Sequence, residues 1–483
     1  MRTIVVFVFI GIVNFTLFSQ EQRWKESIID SITYQLYSTG KFKSLIQEGT
    51  LAVQHDVDFY YLRLRLGEAY YYERQPLLAL VHFKKALEFQ PSDVYAKKWL
   101  VEVYALLGWA EEAKTLLATL DVTTQQLNAY KIGKEKLINI EAGVQIPSFK
   151  SSQETTQEYV EKNKMDAIYY QQIGCKFPIS NRVNIYTGFS AIQNQRTQNF
   201  SYKEHLYTNG YSYQPNVLEN ATLNTILNRY ENSSLKSTNV NQSFNSNLQQ
   251  YHAYVGASIL LPNDWRMQVG LNYFTIAQRL TSASYQGIVF MDSTTTDPYL
   301  YRYQTKYSFN AAESTNSNGI STISLSKLIG KWVPQLNVTV GSIASTTISQ
   351  FGGILSYAPL GNQSLNFALG FSQLHDTENR NVVLGKVTGK ITDRWWYEST
   401  VHIGDLTNYS EGNGYVVYNV SDKITSKIGA NLTYFFSSRL ALSMRYDWMQ
   451  RQYPVLTSNN GSFTVNDEKY TNHSFLTSLL WKF

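Results

Sequence analysis

The sequence predicts α-helical tetratricopeptide-type repeats followed by an antiparallel transmembrane β-barrel of about 14 strands, 12 and 16 being the neighbouring even counts. Three observations carry this reading. Charged residues are only 16% of the 483-residue chain while aromatics reach 14%, 36 of them tyrosines; a soluble protein carries roughly 25% charge. The apolar period changes from about 3.6 to 2 near residue 137, from helix to strand. Behind that point short turns alternate with long polar links, as in outer-membrane barrels.

The first segment, MRTIVVFVFIGIVNFTLFSQ, places Arg2 before an apolar run that closes on small and polar residues. It reads as a signal peptide over 1–20. The run is short for a bilayer span, and no cysteine near its end offers a lipid anchor. Elsewhere no stretch of about eighteen apolar residues occurs, so membrane insertion would have to use strands. A charge of +5 without long basic runs excludes a nucleic-acid partner. The single cysteine, Cys175, provides neither a disulfide nor a zinc cluster.

Residues 21–125 form the helical part, its clearest stretch being YLRLRLGEAYYYERQPLLALVHFKKALEFQPSD at 61–93. Gly67 and Ala79 are small where two antiparallel helices must approach. Leu66, Tyr70, Phe83 and Ala86 supply the apolar contacts, and Pro91 stops the second helix. A 34-residue shift aligns Gly40, Arg74 and Gly108 at interhelical turns, Ala52 with Ala86, and Ala113 with Ala79. The stretch resembles a tetratricopeptide repeat, and about three units are expected. Such repeats present a concave surface, here for a periplasmic protein partner; a plain helical spacer is the competing reading.

After a connector at 126–136, strands are read over 137–483. Fifteen segments alternate, from LINIEAGVQI (137–146) through GYVVYNV (414–420) to FLTSLLWKF (475–483). A bacterial barrel needs an even number, so one is false. The suspects are the first strand, GYVVYNV, and an extra strand near YRYQTKYSF (301–309). Tight links at 178–181, 262–264, 359–362 and 392–393 are assigned to the periplasm, and long polar links at 193–250, 278–319 and 449–469 to the outside. Trp265, Trp332, Trp395 and Trp481 fall near periplasmic strand ends and Trp448 near an outer one, as an aromatic belt would place them.

The order of signal peptide, repeat helices and barrel, with the segment GDLTNYSEGNGYVVYNVSDKITSKIGANLTYFFSSRLALSMRYDW (404–448), resembles the YaiO-type outer-membrane proteins in repeat-fused form. The resemblance implies a Gram-negative outer membrane with the N-terminal part in the periplasm, and no defined activity. FLTSLLWKF resembles the C-terminal insertion signal of such barrels, with Phe475, Leu479, Trp481 and Phe483 at the recognised alternate positions. It implies the barrel insertion machinery and outer-membrane lipids as partners.

With the apolar faces toward lipid, Arg182, Arg266, Lys386, Glu398, Lys427, Arg445 and Asp447 line the pore, among neutral residues such as Asn184, Gln268, Asn272, Gln335 and Asn337. Gly174, Gly188, Gly256, Gly341 and Gly429 leave room for solute or for a loop folded inside. The charged set is mainly basic and favours anions. It points to a porin-like pore for an anionic solute or glycan, on the pattern of polysaccharide export. The alternative is a structural or adhesin-like protein whose surface loops bind partners. Segment 405–413, DLTNYSEGN, reads as a solvated loop, with a sugar or ion grip as the sharper reading.

No metal, phosphate-loop, dinucleotide or catalytic-cysteine pattern occurs, and no cofactor is expected. His402 and Glu398 share a strand face, but Ser399 points to the other. A nucleophile–base pair is excluded there, and no catalytic residue is assigned.

Overall fold

The computed structural model describes residues 24–121, 136–149, 157–208, 234–291, 301–419, 422–459 and 462–483. The predicted signal peptide lies outside them, as does nearly all of the connector.

Six helices come first: α1 (Glu26–Ser38), α2 (Phe42–Gln54), α3 (Tyr60–Tyr72), α4 (Pro76–Phe89), α5 (Val94–Leu106) and α6 (Ala110–Leu117). Local chemistry sets their ends. Pro76 occupies the first turn of α4, where its missing N–H costs nothing. Asp93 caps α5 by accepting the Ala96 N–H at 2.6 Å. Gly40, Arg74 and Gly108 all adopt positive φ after α1, α3 and α5, so the predicted column is a set of left-handed helix stops. Leu66, Ala79, Phe83 and Ala86 are fully buried and Tyr70 nearly so. A Cβ on Gly67 would sit 2.6 Å from the Phe83 ring, which is why the helices need glycine there. Pro91 lies in the exposed turn behind α4.

The rest is a closed antiparallel barrel of fourteen strands. They are β1 (Leu137–Ser148), β2 (Tyr159–Pro178), β3 (Val183–Thr208), β4 (Ser234–Leu260), β5 (Trp265–Met291), β6 (Tyr301–Lys327), β7 (Trp332–Ile343), β8 (Thr346–Tyr357), β9 (Leu365–His375), β10 (Asn379–Lys390), β11 (Trp395–Gly404), β14 (Lys423–Phe435), β15 (Leu440–Asn459) and β16 (Ser462–Lys482). β12 (Ser410–Glu411) and β13 (Val416–Val417) form a separate two-stranded pair. The barrel closes where β1 meets β16, with Leu137 opposite Lys482 and Ser148 opposite Thr471.

Parity is thereby resolved. β1 is a wall strand, and YRYQTKYSF is the outer part of β6 rather than a strand of its own. GYVVYNV leaves the wall altogether and contributes β13 to the inner pair.

The wall has two heights. β7 to β11 contain 10 to 12 residues each, close to the roughly 9–11 that cross a bilayer. β3 to β6 contain 26 or 27 and rise far beyond it, about 85–90 Å along the strand at 3.3 Å per residue. The polar stretches read as long outer loops are therefore largely paired strand arms. β15 reaches across to β2 above the end of β1, and β3 touches β6 through Leu206 opposite Gln304. Phe200, Tyr202, Phe244 and Phe309 pack with Tyr159 and Tyr307 between the arms. That stripe alternates with Asn, Gln and Ser, so the arms look like loop in one dimension.

Large apolar residues point outward at bilayer height, including Leu336 and Leu369, 68% and 71% exposed. Trp265, Trp332 and Trp481 are also exposed, near the periplasmic ends of β5, β7 and β16. Trp395 packs at a tilt against Tyr434 beside them. The protein is an outer-membrane barrel with a periplasmic helical segment.

Candidate functional site: a hairpin inside the lumen

Between β11 and β14 the chain turns into the barrel. Asp405 starts the turn by accepting the Thr407 N–H at 3.0 Å and its hydroxyl at 2.7 Å. Leu406 N–H donates to the Ile424 carbonyl, and Asn408 and Tyr418 close a backbone ladder that leads into β12 and β13. Gly412, Asn413 and Gly414 take positive φ, forming the tip of a tight hairpin. Leu406 and Tyr409 are buried with Val382 and Met449. Val417 enters a lumen cluster with Phe274, Ile320 and Ile348. The expected solvated loop at 405–413 is thus a buried plug: its apolar residues find partners inside rather than in water.

The tip is held by wall side chains. Asn413 donates to Gln268 Oε1 at 2.5 Å and accepts from Ser324 at 2.7 Å. Asn272 donates to the Gly414 carbonyl at 2.8 Å. Gln350 makes two bonds with the Ser410 backbone, both 2.9 Å. The Tyr415 hydroxyl meets that of Tyr186 at 2.8 Å. All these are non-covalent, single-residue contacts.

The charged residues predicted for the pore are paired. Lys386 bonds Glu398 at 2.5 Å, and Arg445 bonds Asp447 at 3.0 Å. Lys427 is buried between Asp447 at 3.9 Å and plug Glu411 at 4.0 Å, and donates to the Tyr418 hydroxyl at 2.6 Å. His402, fully buried, faces Glu411 at 3.5 Å. Two positions depart from expectation. Arg182 lies exposed in the β2–β3 turn, one residue short of the strand. Arg266 bonds Glu112 of α6 at 2.6 Å and Glu111 at 3.5 Å, so it holds the helices rather than lining an open path. The lumen cations are neutralised by the predicted Glu398 and Asp447 and by plug Glu411, which lies outside the predicted pore-lining set. Ser399 is exposed on the outer wall face while His402 points in. Among the described residues no cluster of three His, Cys, Asp or Glu could hold a metal.

Phe475, Leu479, Trp481 and Phe483 are all exposed on the outer face of β16, Phe483 N–H donating to the Lys136 carbonyl at 3.0 Å.

Two cavities flank the plug. One of about 260 Å³ lies against Glu141, Tyr170, Tyr415 and Arg445. The other, about 570 Å³, lies between the plug and the periplasmic end and reaches Gln268, Gln335, Asn366 and Trp396. Below it the helices seat on the barrel turns. Lys84 pairs with Asp264, to which Tyr104 also donates at 3.3 Å. Leu77 N–H donates to the Gly361 carbonyl at 3.0 Å, and Gln363 donates to the Leu107 carbonyl at 2.9 Å. Ala358 joins the helical core, with Leu328 packed against it.

The plug's signal was present in the sequence: EGNG between apolar runs is a turn motif, and Leu406, Tyr409, Val416 and Val417 are too apolar for a wetted link. Nothing local marked Glu111 and Glu112 as the partners of Arg266.

No known protein family and no curated protein matches the chain. Solved structures similar to it include the Ralstonia pickettii toluene transporter TbuX, at 8% identity over 73% of this chain and 90% of that one, TM-score 0.41. A Pseudomonas aeruginosa FadL homologue is similar at 8% identity over 72% and 91%, TM-score 0.40. A bacterial polysaccharide outer-membrane secretin is similar at 7% identity over 72% and 99%, TM-score 0.34.

Proposed function

We propose that the chain is a gated outer-membrane channel for polar solutes, in which segment 405–419 is the gate and the helical repeats cover the periplasmic entrance. The observation that carries this is the hairpin itself. It occupies the lumen through separable hydrogen bonds, with cavities on two of its sides.

The anionic path expected from the cation-rich strands loses its support, because those cations sit beside carboxylates or outside the lumen. A polar path with local charge balance replaces it. Passage of a glycan remains within the reading, as does a periplasmic partner on the repeat helices. The YaiO-type resemblance fits the same architecture without adding an activity.

The alternative, a non-conducting surface protein, draws on the tall arms of β3 to β6 and their aromatic packing. One experiment separates the two. Single-channel recording should show the wild type mostly closed and a variant with residues 406–418 replaced by a short linker steadily open. Equal conductance in a correctly assembled pair would sink the gate and favour the surface role.

A further inference from the structure

The larger cavity is distinctive in its walls. Gln268, Gln335, Asn337, Gln363 and Asn366 of the wall and Asn413 of the plug all border it, six carboxamides around one space of about 570 Å³, within the roughly 300–1,000 Å³ of small-molecule sites. A carboxamide offers a donor and an acceptor side by side, as does each hydroxyl of a sugar. Asn337 and Asn366 each retain a buried amide oxygen without a hydrogen-bond partner. Such orphans are uncommon in folded proteins and call for an explanation; a hydroxyl donor in the cavity would provide one after a small rotation of the amide.

Two further features narrow the class. The charged residues on the wall are Lys386 with Glu398, already in mutual contact at 2.5 Å, and plug Glu411, which faces Lys427 at 4.0 Å and accepts the Tyr418 hydroxyl at 2.7 Å, so neither an anionic nor a cationic solute meets a free countercharge. Trp396 borders the same space, offering a flat apolar ring to the C–H face of a pyranose. An amide-lined cleft whose charges are already paired, with Trp396 on its wall, suits a polyhydroxylated neutral molecule.

We infer that this vestibule binds a short uncharged oligosaccharide on its way through the channel. The inference rests on the channel reading and names its substrate class, yet binding can be measured without transport. In it, Trp396 stacks on a sugar ring, Gln335, Asn337 and Asn366 hydrogen-bond its hydroxyls, and Gln268 links the site to the plug through its bond to Asn413.

Calorimetric titration of the full chain in detergent with maltotriose and N,N′,N″-triacetylchitotriose provides the test, with trigalacturonic acid as the charged counterpart. At least one neutral trisaccharide is expected to bind saturably and more tightly than the charged one. Trp396→Ala should weaken that binding about tenfold, equivalent to about 1.4 kcal/mol. Trp395→Ala, on the outer face of the same strand, should leave it within about twofold. Because the helices cover the entrance, the titration is repeated in Asp264→Asn/Arg266→Gln, which removes the Lys84 and Glu112 ion pairs that help hold them. No binding of either neutral sugar in both proteins overturns the site. Tighter binding of the charged sugar, or indifference to Trp396→Ala, overturns the assignment equally. Binding by a protein that never conducts would keep this site and remove the channel.

Discussion

Gly270 shows how much one missing side chain can carry. It faces the lumen from β5, and a Cβ there would overlap the Asn413 carbonyl at the plug tip. Gly270→Val should therefore push the hairpin out while leaving the wall register, Gly256 to Gly270 to Thr322, intact. Single-channel recording should show long openings; a variant as closed as the wild type would mean that the tip can shift and still seal. His82 makes a different test, in α4 outside the membrane. Its Nδ1 takes the Arg63 guanidinium at 3.1 Å, so it must be the acceptor and the ring neutral. Burial, then the Arg63 charge, push its pKa down to about 3, with Asp58 opposing, and the ring stacks on Tyr70. The unfolded chain, with a value near 6.5, binds the extra proton between these limits. The helices should thus lose stability as pH falls from about 6.5 to about 3, by at most about 1.4 kcal/mol per pH unit. Burial raises the pKa of Glu68 and works the opposite way. The measurement is therefore the denaturation difference between wild type and His82→Gln across that window. A difference that does not change with pH would refute the neutral buried ring.

At the scale of elements, the contact between α6 and the barrel rests on Arg266 with Glu111 and Glu112. Partly exposed pairs contribute little each, about 0.2–1 kcal/mol, and α6, only eight residues long, is also held by Asn184 and Lys176 on Glu111 and by Thr115 on the Asn181 carbonyl. Arg266→Ala should speed amide exchange in α6 by up to about fivefold while the barrel strands keep their protection; unchanged exchange would show the contact to be idle. The same scale shows what a sequence can reveal. β7 to β11 were legible because each is a single membrane crossing with one apolar face, most of them bounded by Gly, Pro, Asn or Asp, the exception being the Ala344-Ser345 turn between β7 and β8. The arms of β3 to β6 were not, because their buried stripe is interrupted by Asn, Gln and Ser and stabilised by strands far away in the chain. GYVVYNV alternated well enough to pass as wall. Only the closure of β11 directly onto β14, Trp395 opposite Tyr434, excludes it. The lumen residues were mostly identified by face, but their pairing was hidden: Glu411 sits in the one segment that strand parity cannot orient.

For the whole molecule, the two wall heights set where lipid ends. Spin labels at Leu369 and Val338 should report a hydrocarbon environment. Labels at Phe463 and Val465, which are as exposed but lie on the outer arm of β16, should report water. Equal polarity at both pairs would show that the membrane sits higher on the barrel than the short strands imply.

The seat of the helices has a consequence for how the protein is made. Asn181, Asp264 and the pair Ala358 and Gly361 come from three different turns, and they share one rim only after the intervening strands have paired. The helices precede the barrel in the chain and contain mostly local contacts, so they fold fast. Their landing surface is late by construction. Until closure they stand in the periplasm with α4 and α6 uncovered, and docking is the last step of maturation, one that a half-built barrel cannot complete.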